Sequence, residues 1–385
     1  MNPLQKIGTF GQSVWLDFIS RKALQDGTLQ KYIADGVVGM TSNPAIFGKA
    51  MSGDDYDKEI ATLGRKGQSA NEIYDQLAIE DVQNACDLLH PVFNRSNGLD
   101  GYVSLEVSPH LARDTSGTIE AAQTYWSRLK RENAMIKIPA TMEGVPAVTE
   151  VLSKGINVNV TLLFSVNRYE MIIDAFMSGL EKLSASGGDL SKVRSVASFF
   201  LSRIDTMVDE DLEKIGSQEA LGLRGKAAIA CAKHAYELYE KHYSSGRWTA
   251  LADKGAHPQR LLWASTSTKN PNYPDTMYVE PLIGPETVNT LPPETIAQYL
   301  DHGDPADRIH DGWNEVHANL TALATVGIDL KLTANRLEEE GLVKFVEPFE
   351  KLAKLLEAKR KSAVSVQSDD EAAIARALAE TAASL

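Results

Sequence analysis

Cysteine is scarce in this 385-residue chain: Cys86 and Cys231 are the only two, and no CxxC occurs. That excludes a disulfide framework and fits a reducing compartment. The eight histidines are scattered, with no HExxH and no HxH pair, so a metal site has little support. Positive charge is in deficit, with 39 Lys and Arg against 52 Asp and Glu and a net charge of -13. Nucleic acid and anionic membrane are thereby disfavoured as main partners. An anionic substrate is not, because a few local cations outweigh screened distant charge. No apolar run approaches a membrane span, and the opening MNPLQKIGTFGQSVWLDF lacks a basic segment followed by an apolar one. The expectation is a cytoplasmic protein without a membrane segment, monomer or homodimer.

What the chain does contain is alternation. Short apolar or β-branched runs occur at 13–18, 37–42, 102–107, 134–139, 156–161, 194–200, 260–266 and 277–283. Between them lie stretches such as GTIEAAQTYWSRLKRE and SVNRYEMIIDAFMSGLEKL, with apolar positions at three- and four-residue steps. Strand–helix alternation implies a parallel sheet, and eight strands close a (β/α)8 TIM barrel. The stretch from about 48 to 100 is too long for a simple connection and reads as a helical insertion between strands two and three. Amphipathic patterns after strand eight, including PETVNTLPPETIAQYLDHG, read as closing helices, with a helical extension over about 334–385. No repeat or low-complexity linker marks a second domain.

Side chains on a strand alternate between faces, so polar residues can be sorted by parity. Val103 and Leu105 oppose Ser104 and Glu106. Ile136 and Ile138 oppose Lys137. Val158, Val160 and Leu162 oppose Asn157, Asn159 and Thr161. Val14, Leu16 and Phe18 oppose Asp17, and Ala197 and Phe199 oppose Ser198. The apolar sets suit a helix-packed exterior. The polar sets then face the lumen, with Asp17, Asn43, Glu106, Lys137, Thr161 and Ser198 converging on the mouth where barrel active sites are built.

Lys137 poses the chemical question, since lysine is almost never fully buried without a partner or a task. A neutral amine in an apolar lumen attacks a ketone to form a Schiff base, and the protonated imine is an electron sink for cleavage of the neighbouring carbon–carbon bond. Such chemistry needs a carboxylate to move protons, and Glu106 is nearest by strand order. It needs a second base for the hydroxyl proton, a task open to Asp17, while Asn43 and Ser198 could hold hydroxyls. Each residue has a plainer reading. Lys137 and Glu106 could form a structural ion pair; Asp17 alone is more often the N-cap of the next helix; Asn43 before Pro44 is a turn signal. Asn159 and Thr161 could be satisfied lumen polars. Arg203 could be solvated on a first helical turn, and Lys269 exposed in a loop.

In order along the chain, WLDFISR, TSNPAIF, VSLEVSP, MIKIPAT, NVNVTLLFS, SFFLSRID and LLWASTSTKNP resemble the transaldolase family, class I aldolases of the pentose phosphate pathway, over about residues 10 to 360. The long insertion is similar to the longer bacterial subgroup. The resemblance implies a (β/α)8 barrel with Lys137 as the Schiff-base lysine. It implies Glu106 as the acid/base acting through a water held with Thr161, and Asp17 as the base at the breaking bond. Asn43 and Ser198 would hold a dihydroxyacetone unit, with Asn159 and Ser104 close by, and Arg203 would hold phosphate. The family's second phosphate arginine follows an ASF-type segment. Here that segment is longer and ends in Lys269. Sugar phosphates are the implied substrates and no cofactor is implied. A fructose 6-phosphate aldolase-like enzyme is the nearest rival, but such chains are shorter and carry tyrosine where this one has Glu106. A silent barrel used for binding would lack the lysine or the carboxylate. A metal-dependent aldolase would need clustered histidines.

Overall fold

In the computed structural model, which describes the backbone of residues 1–383 and the side chains of residues 1–363, the alternating runs become a closed parallel barrel. The last two residues of the expected C-terminal extension lie outside the described residues. The strands are β1 (Gln12–Asp17), β2 (Gly39–Thr41), β3 (Val103–Glu106), β4 (Ala134–Pro139), β5 (Val158–Leu163), β6 (Ser195–Phe200), β7 (Arg260–Ala264) and β8 (Thr287–Leu291). Each pairs with its sequence neighbour, and β1 pairs with β8. Between β2 and β3 lie the helices Pro44–Met51, Asp57–Arg65 and Ala70–Arg95. The last of these starts where the sequence signals it, on a capping box in which Ser69 and Glu72 satisfy each other's backbone amides.

Three expectations about strands are corrected. The run at 277–283 is not β8. It holds a 3-10 turn, Glu280–Leu282, and its apolar residues are buried against the barrel without pairing. Its composition reports burial, not a strand period, and Pro281 would deprive a ladder of a donor. The true β8 lies in the stretch read as a closing helix. Its outward face carries polar donors that are met locally: Asn289 donates to the Tyr278 carbonyl at 3.2 Å and Thr287 to that of Gly284 at 2.6 Å. The apolar-outside rule therefore missed it. Second, Leu162 does not share the face of Val158 and Val160. It has a left-handed φ of 59° at an irregularity in the β5–β6 register. Its side chain lies against Gly341, at the mouth. Phe18, expected on the outer face, follows the end of β1 and lines the cavity at the mouth.

The opposite end of the lumen is plugged. Arg260 donates to Asp100 at 3.0 Å, to Ser13 at 2.7 Å and to the Leu99 carbonyl at 2.8 Å. Asp100 also accepts from Ser13 at 2.8 Å and from the Trp15 indole at 3.3 Å. The indole needs Gly39 beside it, where a Cβ would stand 2.6 Å from the ring. The side chains of Arg260, Asp100, Ser13 and Trp15 are all buried, so the charges are matched by fixed partners rather than by bulk water.

A helix running Leu330–Ala383 crosses the other end. Glu338 pairs with Arg168 at 3.0 Å, Arg336 with Asp211 at 2.6 Å, and Glu339 with Arg113. Phe349 packs edge-on against Tyr74 of the insertion, and Lys359 donates to the carbonyls of Met51 and Gly53. The helix thus joins barrel, mouth and insertion.

Removing the anion of the plug should show its weight. Asp100→Ala leaves a buried guanidinium uncompensated and is expected to cost about 3–5 kcal/mol in denaturant unfolding; a loss under about 1 kcal/mol would mean that the carbonyl and hydroxyl contacts suffice alone.

Candidate active site

At the mouth between β1, β2, β4, β6, β7 and β8 opens a cavity of about 970 Å³. Its wall carries six of the residues singled out from sequence: Asp17, Asn43, Lys137, Ser198, Arg203 and Lys269. The other four, Glu106, Ser104, Asn159 and Thr161, are buried and form no part of that wall. Register explains the layering. Glu106 pairs with Lys137 across β3–β4, and Lys137 with Asn159 across β4–β5.

Lys137 is 5% exposed. Its Nζ donates to the Ser42 carbonyl at 3.2 Å and stands 3.8 Å from Glu106 Oε2. Behind it runs a fixed chain: Ser198 donates to Asn159 Oδ1 at 2.7 Å, and Asn159 Nδ2 donates to Ser104 Oγ at 3.0 Å. Both Glu106 carboxylate oxygens and the Thr161 hydroxyl are buried without a hydrogen-bond partner among the described residues. Buried polar atoms are normally paired, and unpaired ones mark places where a small polar molecule can bind.

The two carboxylates are tuned by their surroundings. Burial pushes Glu106 up to about 7; Lys137 opposes the shift and Asp17 adds to it. Burial also raises Asp17, which Lys137 and a hydrogen bond from Thr41 partly offset. A carboxyl that titrates near neutrality beside an amine can both give and take protons at physiological pH. Asp17 does not cap a helix. The next helix begins at Arg21 on the side chain of Ser20. Asp17 instead accepts from Thr41 at 2.7 Å, and Thr41 meets Thr290 at 2.7 Å. Asn43 caps Pro44–Met51, its Oδ1 accepting from Ile46 N at 3.0 Å, and it lines the cavity.

Arg203 sits in the first turn of the helix Ser202–Ile215, a natural anion site. Its guanidinium lies 5.4 Å from the Phe200 ring and 6.0 Å from that of Phe345, and its Nη1 is buried without a partner among the described residues. Lys269 is exposed, as its loop suggested, but faces the cavity with Ser267 held at 2.5 Å. Lys22, Lys49 and Lys344 add to Lys137, Arg203 and Lys269 on the wall, against Asp17, Asp55 and Glu294. A chain of net charge -13 has thus gathered cations at one opening.

Sequence reasoning missed Thr41, Thr290, Phe345 and Lys344. The threonines look like ordinary strand residues. Phe345 and Lys344 sit in a helix whose pattern signals only amphipathicity; Phe345 reaches the site because that helix crosses the mouth, its ring 6.0 Å from Lys137 Nζ.

The chain as a whole is similar to known proteins. The chain matches the family described as Transaldolase/Fructose-6-phosphate aldolase over residues 14–356. The chain belongs to this family. It is 49% identical over 354 residues to a transaldolase of Thiobacillus denitrificans, covering 91% of this chain and 99% of the relative. It is 49% identical to a transaldolase of Thermobifida fusca, covering 91% and 96%, and 48% identical to transaldolase 2 of a Nostoc species, covering 94% and 98%. It is accordingly an enzyme, of the transferase class. No helix among the described residues is long and apolar enough to cross a membrane.

Two outcomes test the site. A glutamate whose folded pKa is raised binds its proton more tightly when folded, so stability falls as pH rises from about 4.5 to about 7. Relative to Glu106→Gln, the wild type is expected to lose on the order of 2 kcal/mol across that window in denaturant unfolding; parallel curves would mean that Glu106 titrates normally. Phe345→Leu keeps apolar volume but removes a ring from Arg203. Phosphate binding, measured calorimetrically, is expected to weaken about twofold to tenfold, matching ~0.5–1.4 kcal/mol of cation–π contact; equal affinity would show that the ring is dispensable.

Proposed function

We propose that this enzyme transfers a dihydroxyacetone unit between sugar phosphates through a Schiff base on Lys137. The donor is a ketose phosphate, sedoheptulose 7-phosphate or fructose 6-phosphate, and the acceptor an aldose phosphate, glyceraldehyde 3-phosphate or erythrose 4-phosphate. The observation that carries this reading is a buried amine 3.8 Å from a carboxylate that burial pushes well above its ordinary range, at the floor of a cation-lined cavity.

Neutral Lys137 Nζ attacks the ketose carbonyl carbon and a carbinolamine forms. Glu106, through a water held with Thr161, delivers the proton that lets hydroxide leave as water, giving the iminium. Asp17 takes the proton of the hydroxyl on the far carbon of the breaking bond, which becomes the carbonyl of the departing aldose. The electrons of that carbon–carbon bond flow into the iminium and leave an enamine on Lys137, while an aldose phosphate departs. A second aldose phosphate accepts the fragment by the reverse steps, and hydrolysis frees the lysine. This is a ping-pong transfer. The imine serves as the electron sink, so the scheme calls on no metal or cofactor.

Asn43 and Ser198 hold the hydroxyls of the fragment, with Ser198 fixed by Asn159 and Asn159 by Ser104. Arg203 binds the phosphate by its fork and Lys269 is the second phosphate ligand. Glu106, where release to water would favour a tyrosine, supports transfer over free aldol cleavage. Such a role suits a cytoplasmic enzyme of the pentose phosphate pathway.

Borohydride with fructose 6-phosphate should reduce the imine and leave a three-carbon adduct on Lys137, located by mass spectrometry and missing in Lys137→Ala. An adduct on another lysine, or transfer activity retained in Lys137→Ala, would remove the mechanism.

A further inference from the structure

The sequence offered no metal motif, but folding brings together what the linear order separates. On the helix Ala227–Tyr243, His234 and Glu237 are one turn apart; His317 comes from the helix Trp313–Thr325, which packs against it. Glu237 bridges the two rings: its Oε2 is 3.1 Å from His234 Nδ1 and its Oε1 is 3.5 Å from His317 Nε2. One ligand atom from each of the three residues lies within 4.8 Å of the others. None of the three lines the cavity at the barrel mouth.

These separations suit a small transition-metal ion. Four-coordinate zinc with bonds of about 2.0–2.1 Å to nitrogen and oxygen sets its ligand atoms roughly 3.3 Å apart; each ring nitrogen stands near that distance from one of the two Glu237 oxygens, 3.1 Å for His234 and 3.5 Å for His317. Two imidazoles and one carboxylate also select for metal type. Neutral imidazole suits zinc, nickel and copper, whereas calcium and magnesium need oxygen ligands, of which one side chain here supplies two. Orientation is partly set in advance: the His317 ring stacks beside Trp313, with centroids 6.4 Å apart and planes 26° from parallel. The plainer account is a pair of surface His–Glu hydrogen bonds, and it predicts no metal affinity beyond that of scattered histidines.

We propose that His234, Glu237 and His317 form a surface binding site for a divalent ion of the zinc type, with water completing the coordination. An ion held there links two helices that β7 and β8 separate in the chain, and it binds the folded chain only. It therefore stabilises the fold by mass action and stands apart from the Lys137 chemistry.

The test uses the full chain, stripped with chelator and titrated with Zn²⁺ by calorimetry and by thermal unfolding. One saturable equivalent and a raised Tm are expected. His317→Ala and Glu237→Gln, both at exposed or half-buried positions and able to fold, should weaken that equivalent about tenfold or more and abolish the Tm rise. As a control, His90→Ala, on the opposite segment of the chain, should leave both unchanged. Isotherms that are identical in wild type and His317→Ala, or the absence of a saturable equivalent in wild type, would overturn the proposal. Because the readouts are binding and Tm, a failed Schiff-base trap would not affect them.

Discussion

The organisation of this molecule turns on holding an amine and two carboxylates in a space that solvates none of them well. A charge taken out of water is costly, and the cost is tolerated only where partners are fixed in place. Barrel closure supplies that fixity. Because neighbouring strands set the register, Glu106, Lys137 and Asn159 stand side by side on three consecutive strands without any loop having to position them. Polar atoms left without partners, on Glu106 and Thr161, then become the places where chemistry can enter.

Period-two alternation made most of this legible beforehand. Where the outer face is wholly aliphatic, as in β3 and β4, polar residues could only face inward, and they do. The reading failed where polarity had local solutions. β8 hides because Thr287 and Asn289 satisfy nearby carbonyls on its outer side. Leu162 departs because one left-handed residue reverses parity, and leucine gives no hint of that conformation. Asp17 was ambiguous because an aspartate after a strand often caps a helix, yet Ser20, three residues on, had already taken that position. Phe345 could not be foreseen. Its place depends on how a helix far along the chain packs over the mouth, which no local pattern encodes.

Global and local electrostatics point in opposite directions here. The surface as a whole repels anions at long range, while the opening carries six cations against three acids. Screening limits the first effect to about 8–10 Å at ordinary ionic strength, so the second governs what is retained. Arg203, held beside two aromatic rings at a helix start, is the most constrained of these cations and the one best shaped for a phosphate.

The plug of Arg260, Asp100, Ser13 and Trp15 makes the lumen a vessel with a single neck. Whatever reaches Lys137 must return along its own path. If the proposed sugar transfer runs here, a leaving sugar and an incoming one share the same passage, and the incoming one approaches only after the other has cleared it. For the proposed transfer, this would make alternating entry and exit a traffic rule of the architecture, independent of how fast any bond is made or broken.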